Sequence, residues 1–168
     1  YYTESGNFNS QLALYENIGD ASNPEFKWVT DDFSDLGTLN FENNITPTFG
    51  DLDGDGDQDM IVGDSNGNIH LLDNIFSNNV SNFYINEIEY FDIDVGSFAS
   101  PFLIDLDRDG DLDLIIGSRQ GQIFHYNNEG TASEADFVLA NEQFGNINLT
   151  DSIYGTAYTT PTMIDGEN

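Results

Sequence analysis

The sequence predicts an all-β protein made of β-propeller blades, each with four short antiparallel strands. The first observation is that an acidic stretch, DLDGDGDQD at 51–59, returns as DLDRDGDLD at 105–113. The second is that short apolar segments rich in β-branched residues alternate with Gly- and Asn-containing turns, and the third is that no amphipathic segment of helical length occurs. Four strands in a repeat of roughly 50–60 residues, apolar on both sides, are typical of a propeller blade.

Four markers define the repeat: a proline before the acidic stretch, its first aspartate, an asparagine after an apolar strand, and a phenylalanine that opens the next strand. They are separated by 4, 23 and 9 residues in both complete copies. The markers are Pro47, Asp51, Asn74 and Phe83 in one copy and Pro101, Asp105, Asn128 and Phe137 in the next. Equal spacing over this length indicates two copies of one structural unit.

Partial copies flank the two complete ones, since the last interval recurs from Asn17 to Phe26 and the first from Pro161 to Asp165. The repeat therefore divides the chain into a partial blade (1–45), two blades (46–99 and 100–159) and the start of a further blade (160–168). Because the sequence opens with Tyr1 and has no basic leader, we expect a piece of a longer protein.

Each strand is predicted from a short apolar run bounded by turn residues. The first strands contain a proline, which fits a strand start or a sheet edge. The third strands are apolar in both alternation phases, so both of their faces should be covered. The predicted strands are 46–49 and 100–104 (first), 60–63 and 114–117 (second), 11–15, 68–72 and 122–126 (third), and 26–29, 83–86 and 137–140 (fourth).

The charge balance excludes several functions. Thirty-one Asp and Glu stand against 3 Lys and Arg, a formal net charge of -28. Such a polyanion repels phosphate backbones and anionic membrane surfaces, so neither nucleic-acid binding nor membrane insertion is expected. The absence of cysteine removes disulfides and thiolate metal sites. No apolar run reaches the ~18 residues of a membrane-spanning helix.

The acidic stretches have the residue types of a calcium loop. In the first, aspartates occupy positions 1, 3, 5, 7 and 9 and a glycine occupies position 6, a pattern that turns several oxygens toward one hard cation. Magnesium fits less well, because it retains waters in a rigid octahedron. An EF-hand is excluded, since position 12 is Val62 in one loop and Ile116 in the other, where that motif requires Glu.

The order of proline, acidic loop, apolar strand ending in Gly, Gly-containing turn, apolar strand ending in Asn, and Phe resembles the FG-GAP and VCBS repeats. These repeats form a family with the integrin-α-like β-propeller fold, and the resemblance covers essentially the whole chain. It implies a calcium ion in the loop between the first two strands of each blade, and a larger propeller of about seven blades. The implied ligands are Asp51, Asp53, Asp55, Asp57, Asp59, Asp105, Asp107, Asp109, Asp111 and Asp113.

Two departures from the family pattern stand out. Arg108 replaces the usual Gly at position 4 of the second loop, where a solvent-facing side chain is tolerated. A third loop begins at Asp165 and continues only through Glu167 and Asn168, so whether it starts a third calcium site stays open.

These features predict a calcium-binding, calcium-stabilised module that is secreted or exposed at the cell surface. Its expected role is recognition of a protein or glycan ligand in adhesion, with two structural Ca²⁺ ions and no catalytic site, because no catalytic motif is present. One alternative is a catalytic or non-catalytic propeller part of a secreted polysaccharide-degrading enzyme. Another is a structural spacer of a surface filament.

Two further residue types are interpreted as structural. His70 and His125 are expected to be hydrogen-bonded strand histidines. Asn17, Asn74 and Asn128 are expected to bond to the turn that follows their own strand. Recognition, by contrast, is assigned to the segments of variable length at 31–46, 87–100 and 141–160, because insertions collect in exposed connections.

Overall fold

The protein is all-β in a computed structural model that describes residues 10–38, 41, 43–76, 81–149 and 157–163. No α-helix occurs among these described residues. The chain divides into two compact units, Tyr1–Ile45 and Thr46–Asn168.

The first unit contains an antiparallel hairpin of β1 (Leu14–Asn17) and β2 (Phe26–Thr30), followed by a 3-10 segment, Phe33–Thr38. The predicted strand 11–15 is wrong at its start. The carbonyl of Leu12 accepts a hydrogen bond from the N–H of Phe33 at 2.8 Å, so this backbone bonds to the segment after β2.

The second unit contains two antiparallel four-stranded sheets whose strand order follows the chain. The first sheet consists of β3 (Thr46–Gly50), β4 (Asp59–Gly63), β5 (Ile69–Asn74) and β6 (Phe83–Glu87). The second consists of β7 (Ser100–Ile104), β8 (Asp113–Gly117), β9 (Ile123–Asn128) and β10 (Phe137–Asn141). Four-stranded meanders of this kind have the form of propeller blades, and they are called the first and second blades below.

All eight predicted strands of this unit form, and their ends differ from the prediction by at most two residues. The third strands continue two residues further than predicted, because Asn74 pairs with Phe83 and Asn128 pairs with Phe137. These pairs join the third strand to the fourth, so the residue that closes one strand faces the residue that opens the next.

The core lies between the two blades. Ile61 and Ile69 of the first blade and Leu114 and Ile116 of the second share one apolar cluster with Tyr90, which lies in the connection between the blades. All five residues of β4 and all five of β8 are buried, as expected for apolar strands covered on both faces. The prediction that both faces of the third strands are covered is confirmed for β5. The first three residues of β9 are only half-buried, and the prediction is wrong for β1, where Tyr15 is 55% exposed.

The connections between blades repeat a 3-10 turn that the sequence pattern did not indicate. The turns are Tyr90–Asp92 and Phe144–Asn146. After each turn the chain returns to the hairpin between the second and third strands, where Gly67 accepts a backbone hydrogen bond from Val95 and Gly121 accepts one from Leu149, both at 2.9 Å.

The glycine that ends each second strand is required by close packing. A Cβ on Gly63 would lie 2.3 Å from the carbonyl oxygen of Ala99, and one on Gly117 would lie 2.0 Å from that of Thr159. The backbone that leads into the next structural segment therefore passes directly over this glycine in both blades.

Candidate metal centres

The two acidic loops connect the first and second strands of their blades. Gly50 pairs with Asp59 at the mouth of the first loop, and Ile104 pairs with Asp113 at the mouth of the second. Each loop is thus closed by the last pair of an antiparallel ladder, which holds its two ends together.

The first aspartate caps the turn of the first loop. One carboxylate oxygen of Asp51 accepts the N–H of Gly54 at 2.7 Å, and the other accepts the N–H of Gly56 at 3.1 Å. The corresponding bond in the second loop runs from the N–H of Gly110 to Asp105 at 3.2 Å. These side chain-to-backbone bonds curl the loop around its own carboxylates.

Alternate aspartates continue the turn in the same way in both loops. Each carboxylate accepts the N–H of the residue two positions later, at distances of 3.0 to 3.2 Å. The acceptors are Asp53, Asp55, Asp107 and Asp109. This geometry brings successive carboxylates to the inside of a tight turn.

Glycine is favoured at position 6 because of its backbone conformation and not because a side chain would clash. Gly56 has φ 94° and Gly110 has φ 101°, and a Cβ on either would meet nothing within 4 Å. Position 4 also has a positive φ, with Gly54 at 77° in one loop and the exposed Arg108 at 66° in the other. An arginine therefore occupies a left-handed conformation that glycine adopts more readily.

Each loop gathers three carboxylates whose ligand atoms lie within 4.8 Å of one another. They are Asp51, Asp53 and Asp59 in the first loop and Asp105, Asp107 and Asp109 in the second. The other four predicted ligands, Asp55, Asp57, Asp111 and Asp113, lie in the same loops but outside these groups. The structure thus brings together positions 1, 3 and 9 in one loop and positions 1, 3 and 5 in the other.

The aspartate at position 9 is buried and joins three parts of its blade. Asp59 is 1% exposed, and its two oxygens accept the N–H groups of Leu52 at 2.9 Å and Asn74 at 3.0 Å. Burial raises the pKa of Asp59 more than these two hydrogen bonds lower it, and the negative charges of Asp53 and Asp73 add to the rise. A cation beside this carboxylate would favour its charged form.

Three buried carboxylate oxygens of the loops have no hydrogen-bond partner among the described residues. They are the Oδ1 atoms of Asp57, Asp105 and Asp111. Asp57 and Asp111 hold position 7 in their respective loops, so the same atom is left without a partner twice. Burial raises the pKa of Asp111, and the nearby carboxylates of Asp109, Asp113 and Asp107 contribute. Buried polar atoms are normally bonded, and an oxygen-seeking cation would supply the missing partner.

The donor set therefore fits a hard divalent cation. It consists entirely of oxygens and concentrates five carboxylates in nine residues. Hydrogen bonds from backbone N–H groups to these carboxylates hold the loop in shape. These are the properties of calcium loops in proteins. The incomplete third loop, for which a calcium site was left open, lies outside the described residues, because 164–168 are not among them.

The histidines have different environments. His70 is 4% exposed, and its Nε2 lies 3.2 Å from Asp64 while its Nδ1 accepts the N–H of Glu89 at 3.2 Å. The bond to Nδ1 places the ring proton on Nε2, so the prediction of a hydrogen-bonded histidine is confirmed. The same prediction is wrong for His125, since its buried Nε2 has no partner in the described part of the chain and its ring packs 5.1 Å from Phe144.

The aligned asparagines bond to their own turns, as predicted. Asn17 accepts N–H groups of Gly19 and Glu25, both at 3.0 Å. Asn74 accepts the N–H of Asn82 at 3.0 Å. Asn128 accepts those of Gly130 and Asp136 at 3.0 and 2.9 Å.

Asp64, the hydrogen-bond partner of His70, was not identified from the sequence. The residue at the equivalent position of the second blade is Ser118, so the carboxylate does not repeat.

No helix in the described part of the chain combines the length and apolar character needed to cross a bilayer.

Of three comparisons with known proteins, one found a match. A search of curated proteins and a search of solved structures each found no match. A family model described as the FG-GAP-like repeat matches residues 51–116, which begin at the first acidic loop and end in β8. This stretch of the chain therefore belongs to the FG-GAP-like repeat family.

Proposed function

We propose that this chain is a calcium-stabilised part of a β-propeller and that each of its two acidic loops holds one Ca²⁺. The observation that carries the proposal is the pair of buried Oδ1 atoms of Asp57 and Asp111, which lack partners at the same position of both loops. Calcium accepts six to eight oxygens in flexible geometry, which suits a loop offering five carboxylates and the backbone carbonyl at position 7.

The proposed role of the ion is structural. All candidate ligands of one site come from one contiguous loop, and the aspartate at position 9 also bonds to the end of the third strand. An ion in the loop would therefore fasten the first, second and third strands of the blade to one another. It would also relieve the repulsion among five adjacent carboxylates, which opposes the folded loop when no cation is bound.

The module would act in recognition outside the cell rather than in catalysis. Weak to moderate calcium sites suit the millimolar calcium of extracellular settings. Exposed aromatic side chains, among them Tyr84 at 57% and Tyr158 at 59%, offer contact area for a protein or glycan ligand. Further blades of a larger propeller, of about seven in total, would come from additional sequence.

Thermal unfolding tests the calcium role. Adding Ca²⁺ should raise the Tm by several degrees and a chelator should lower it, since a ligand that binds only the folded state stabilises it. The Asp57→Asn/Asp111→Asn variant should lose most of this calcium-dependent rise. Asp92→Asn removes one negative charge in the exposed 3-10 turn, outside both loops, and should keep the full rise. A Tm that is the same in calcium and in chelator would contradict the proposal.

A further inference from the structure

A cleft of about 260 Å³ lies beside the first acidic loop, between the first blade and the β9–β10 hairpin of the second. We call it the rim cleft. Its apolar lining consists of Leu52, Leu71, Tyr90 and Phe91, together with Ala135 from the hairpin. A space of this size between two blades accommodates a single side chain or small organic group.

The walls of the rim cleft are acidic. Asp73, Glu87 and Glu134 line it from outside the acidic loop, and no Lys or Arg is among its lining residues. The carboxylate of Asp73 is held by the side-chain amide of Asn86, which donates to its two oxygens at 2.9 and 2.7 Å. None of these three carboxylates forms an ion pair with Lys or Arg in the described part of the chain.

Two loop carboxylates, Asp53 and Asp59, also border the rim cleft. Calcium in the loop would offset their charge but leave that of the three carboxylates outside the loop. The cleft would therefore keep a strong preference for a positively charged group when calcium is bound.

Tyr90 provides a second and independent sign of a ligand. Its side chain is 7% exposed, with its ring centroid 4.5 Å from that of Phe91 and 6.1 Å from that of Phe137. Its hydroxyl has no hydrogen-bond partner among the described residues, although it belongs to a buried side chain that lines the cleft. Burial raises the pKa of Tyr90 to about 12, and the charges of Glu87 and Asp73 contribute to the rise. A polar ligand group in the cleft would supply this hydroxyl with a hydrogen-bond partner.

Phe91 occupies an unusual backbone conformation at the edge of the cleft. Its φ is 55°, in a region that bulky residues rarely adopt, whereas Gly145 holds the equivalent position in the second blade with φ 65°. The first blade thus places an aromatic ring, 37% exposed, where its neighbour has no side chain. This ring is available to stack on a planar ligand.

We propose that the rim cleft binds a guanidinium group, supplied by an arginine side chain of a partner protein. The methylenes of arginine would pack on the apolar lining, and the planar head would stack on Phe91 while donating to carboxylates. Guanidinium is favoured over ammonium because it is flat, more weakly hydrated and able to bond two carboxylates at once. This assignment rests on the proposed recognition function, for which it names the chemistry of one contact.

Binding to short blocked peptides tests the assignment on the full chain in saturating calcium. The peptide acetyl-Gly-Arg-Gly-amide should perturb the amide NMR signals of residues around Glu87 and Glu134. Its lysine counterpart should bind several-fold more weakly, and its citrulline counterpart, which is uncharged, should not bind measurably. Equal responses to the arginine and citrulline peptides would overturn the proposal.

Two variants in the β9–β10 hairpin distinguish binding in the rim cleft from attraction to the overall negative charge of the protein. Glu134→Gln removes a cleft carboxylate and should weaken arginine binding by roughly three- to tenfold, the loss expected for one charge-assisted hydrogen bond. Glu129→Gln makes the same change at an exposed residue that does not line the cleft, and it should leave the affinity unchanged. Equal losses in the two variants would show attraction to overall charge only and would overturn the proposal.

Calcium binding is measured calorimetrically in the same samples, so the two proposals fail separately. Two bound calcium ions without arginine binding would overturn the rim-cleft assignment and leave the calcium role standing. Arginine binding without calcium binding would overturn the calcium role and leave the rim-cleft assignment standing.

Discussion

The carboxylate of Asp59 accepts a hydrogen bond from the backbone N–H of Asn74 at 3.0 Å. The second blade repeats this bond between Asp113 and Asn128 at 2.9 Å. The last aspartate of each acidic loop is therefore attached to the end of the third strand, 15 residues further along the chain. A loop between two strands is in this way connected to a third.

Replacement of this aspartate should destabilise the blade even without calcium. In Asp59→Asn, one of the two acceptor oxygens becomes an amide that faces a backbone N–H, so a buried N–H loses its partner. We expect a loss of about 1–3 kcal/mol in the free energy of unfolding, measured by urea denaturation in chelator. Asp53→Asn changes the same charge at an exposed position of the loop and should cost much less. Equal losses would show that the bond to Asn74 contributes nothing.

The glycine at the end of the second strand should be far less replaceable than the glycine of the loop. Gly117→Ala places a Cβ 2.0 Å from the carbonyl oxygen of Thr159, which requires the backbone to move. We expect a cost of about 3 kcal/mol or more. Gly110→Ala adds a Cβ in open space at φ 101°, so it should cost only the conformational penalty of about 1–2 kcal/mol. Urea denaturation in chelator gives both values, and the opposite ranking would contradict the packing described.

Much of this fold follows from local pattern. The short apolar runs and the turn residues between them are enough to predict eight strands of the second unit, because the two signals agree there. The strand at 11–15 was misplaced because the carbonyl of Leu12 bonds to Phe33, which lies beyond the next strand. Such a tertiary contact leaves no periodic signal in the sequence.

Arg108 should weaken calcium binding in the second loop. It places a positive charge beside the carboxylates and occupies a left-handed conformation at φ 66°. Arg108→Gly should therefore raise the calcium affinity by roughly two- to fivefold, as expected for one exposed charge. Calorimetry on an Asp55→Ala background, which disables the first loop, isolates this site. Arg108→Lys keeps the charge and should leave the affinity close to that of the parent, and a reduced affinity in Arg108→Gly would contradict the argument.

The Asp64–His70 pair should make stability depend on pH in the acid range. Burial acts to raise the pKa of Asp64, but the hydrogen bonds from His70 and from the N–H groups of Asn68 and Asn66 outweigh it, so the pKa lies below the ordinary 3.8. A carboxyl whose pKa is lower in the folded than in the unfolded protein contributes its full stabilisation above the unfolded pKa. This contribution is lost as the pH falls through the folded pKa.

The measurement compares wild type with Asp64→Asn by urea denaturation in chelator. The difference in the free energy of unfolding should be largest near pH 7 and should shrink as the pH falls below about 4. Ser118→Ala changes the equivalent turn of the second blade, which has no carboxylate, and its effect should be independent of pH in this range. A difference for Asp64→Asn that stays constant with pH would rule out this role of the carboxylate.

The candidate metal centres were accessible to sequence reasoning to different degrees. The ligand positions follow from the alternation of aspartates, whereas the burial of Asp59 and its bond to Asn74 require the third strand to be in place. The rim cleft could not be foreseen, because Glu134 and Tyr90 come from separate connections that meet only when the two blades pack. His70 was correctly interpreted as structural, but its partner Asp64 belongs to one blade only and gave no repeating signal.

The central claim is that the two acidic loops hold two calcium ions, and calorimetric titration of the chain with Ca²⁺ tests it most directly. The wild type should bind two ions, Asp55→Ala and Asp109→Ala should each bind one, and the double variant should bind none. Magnesium at the same concentration should give a much smaller heat. A wild type that binds no calcium, or a double variant that still binds two ions, would contradict the account.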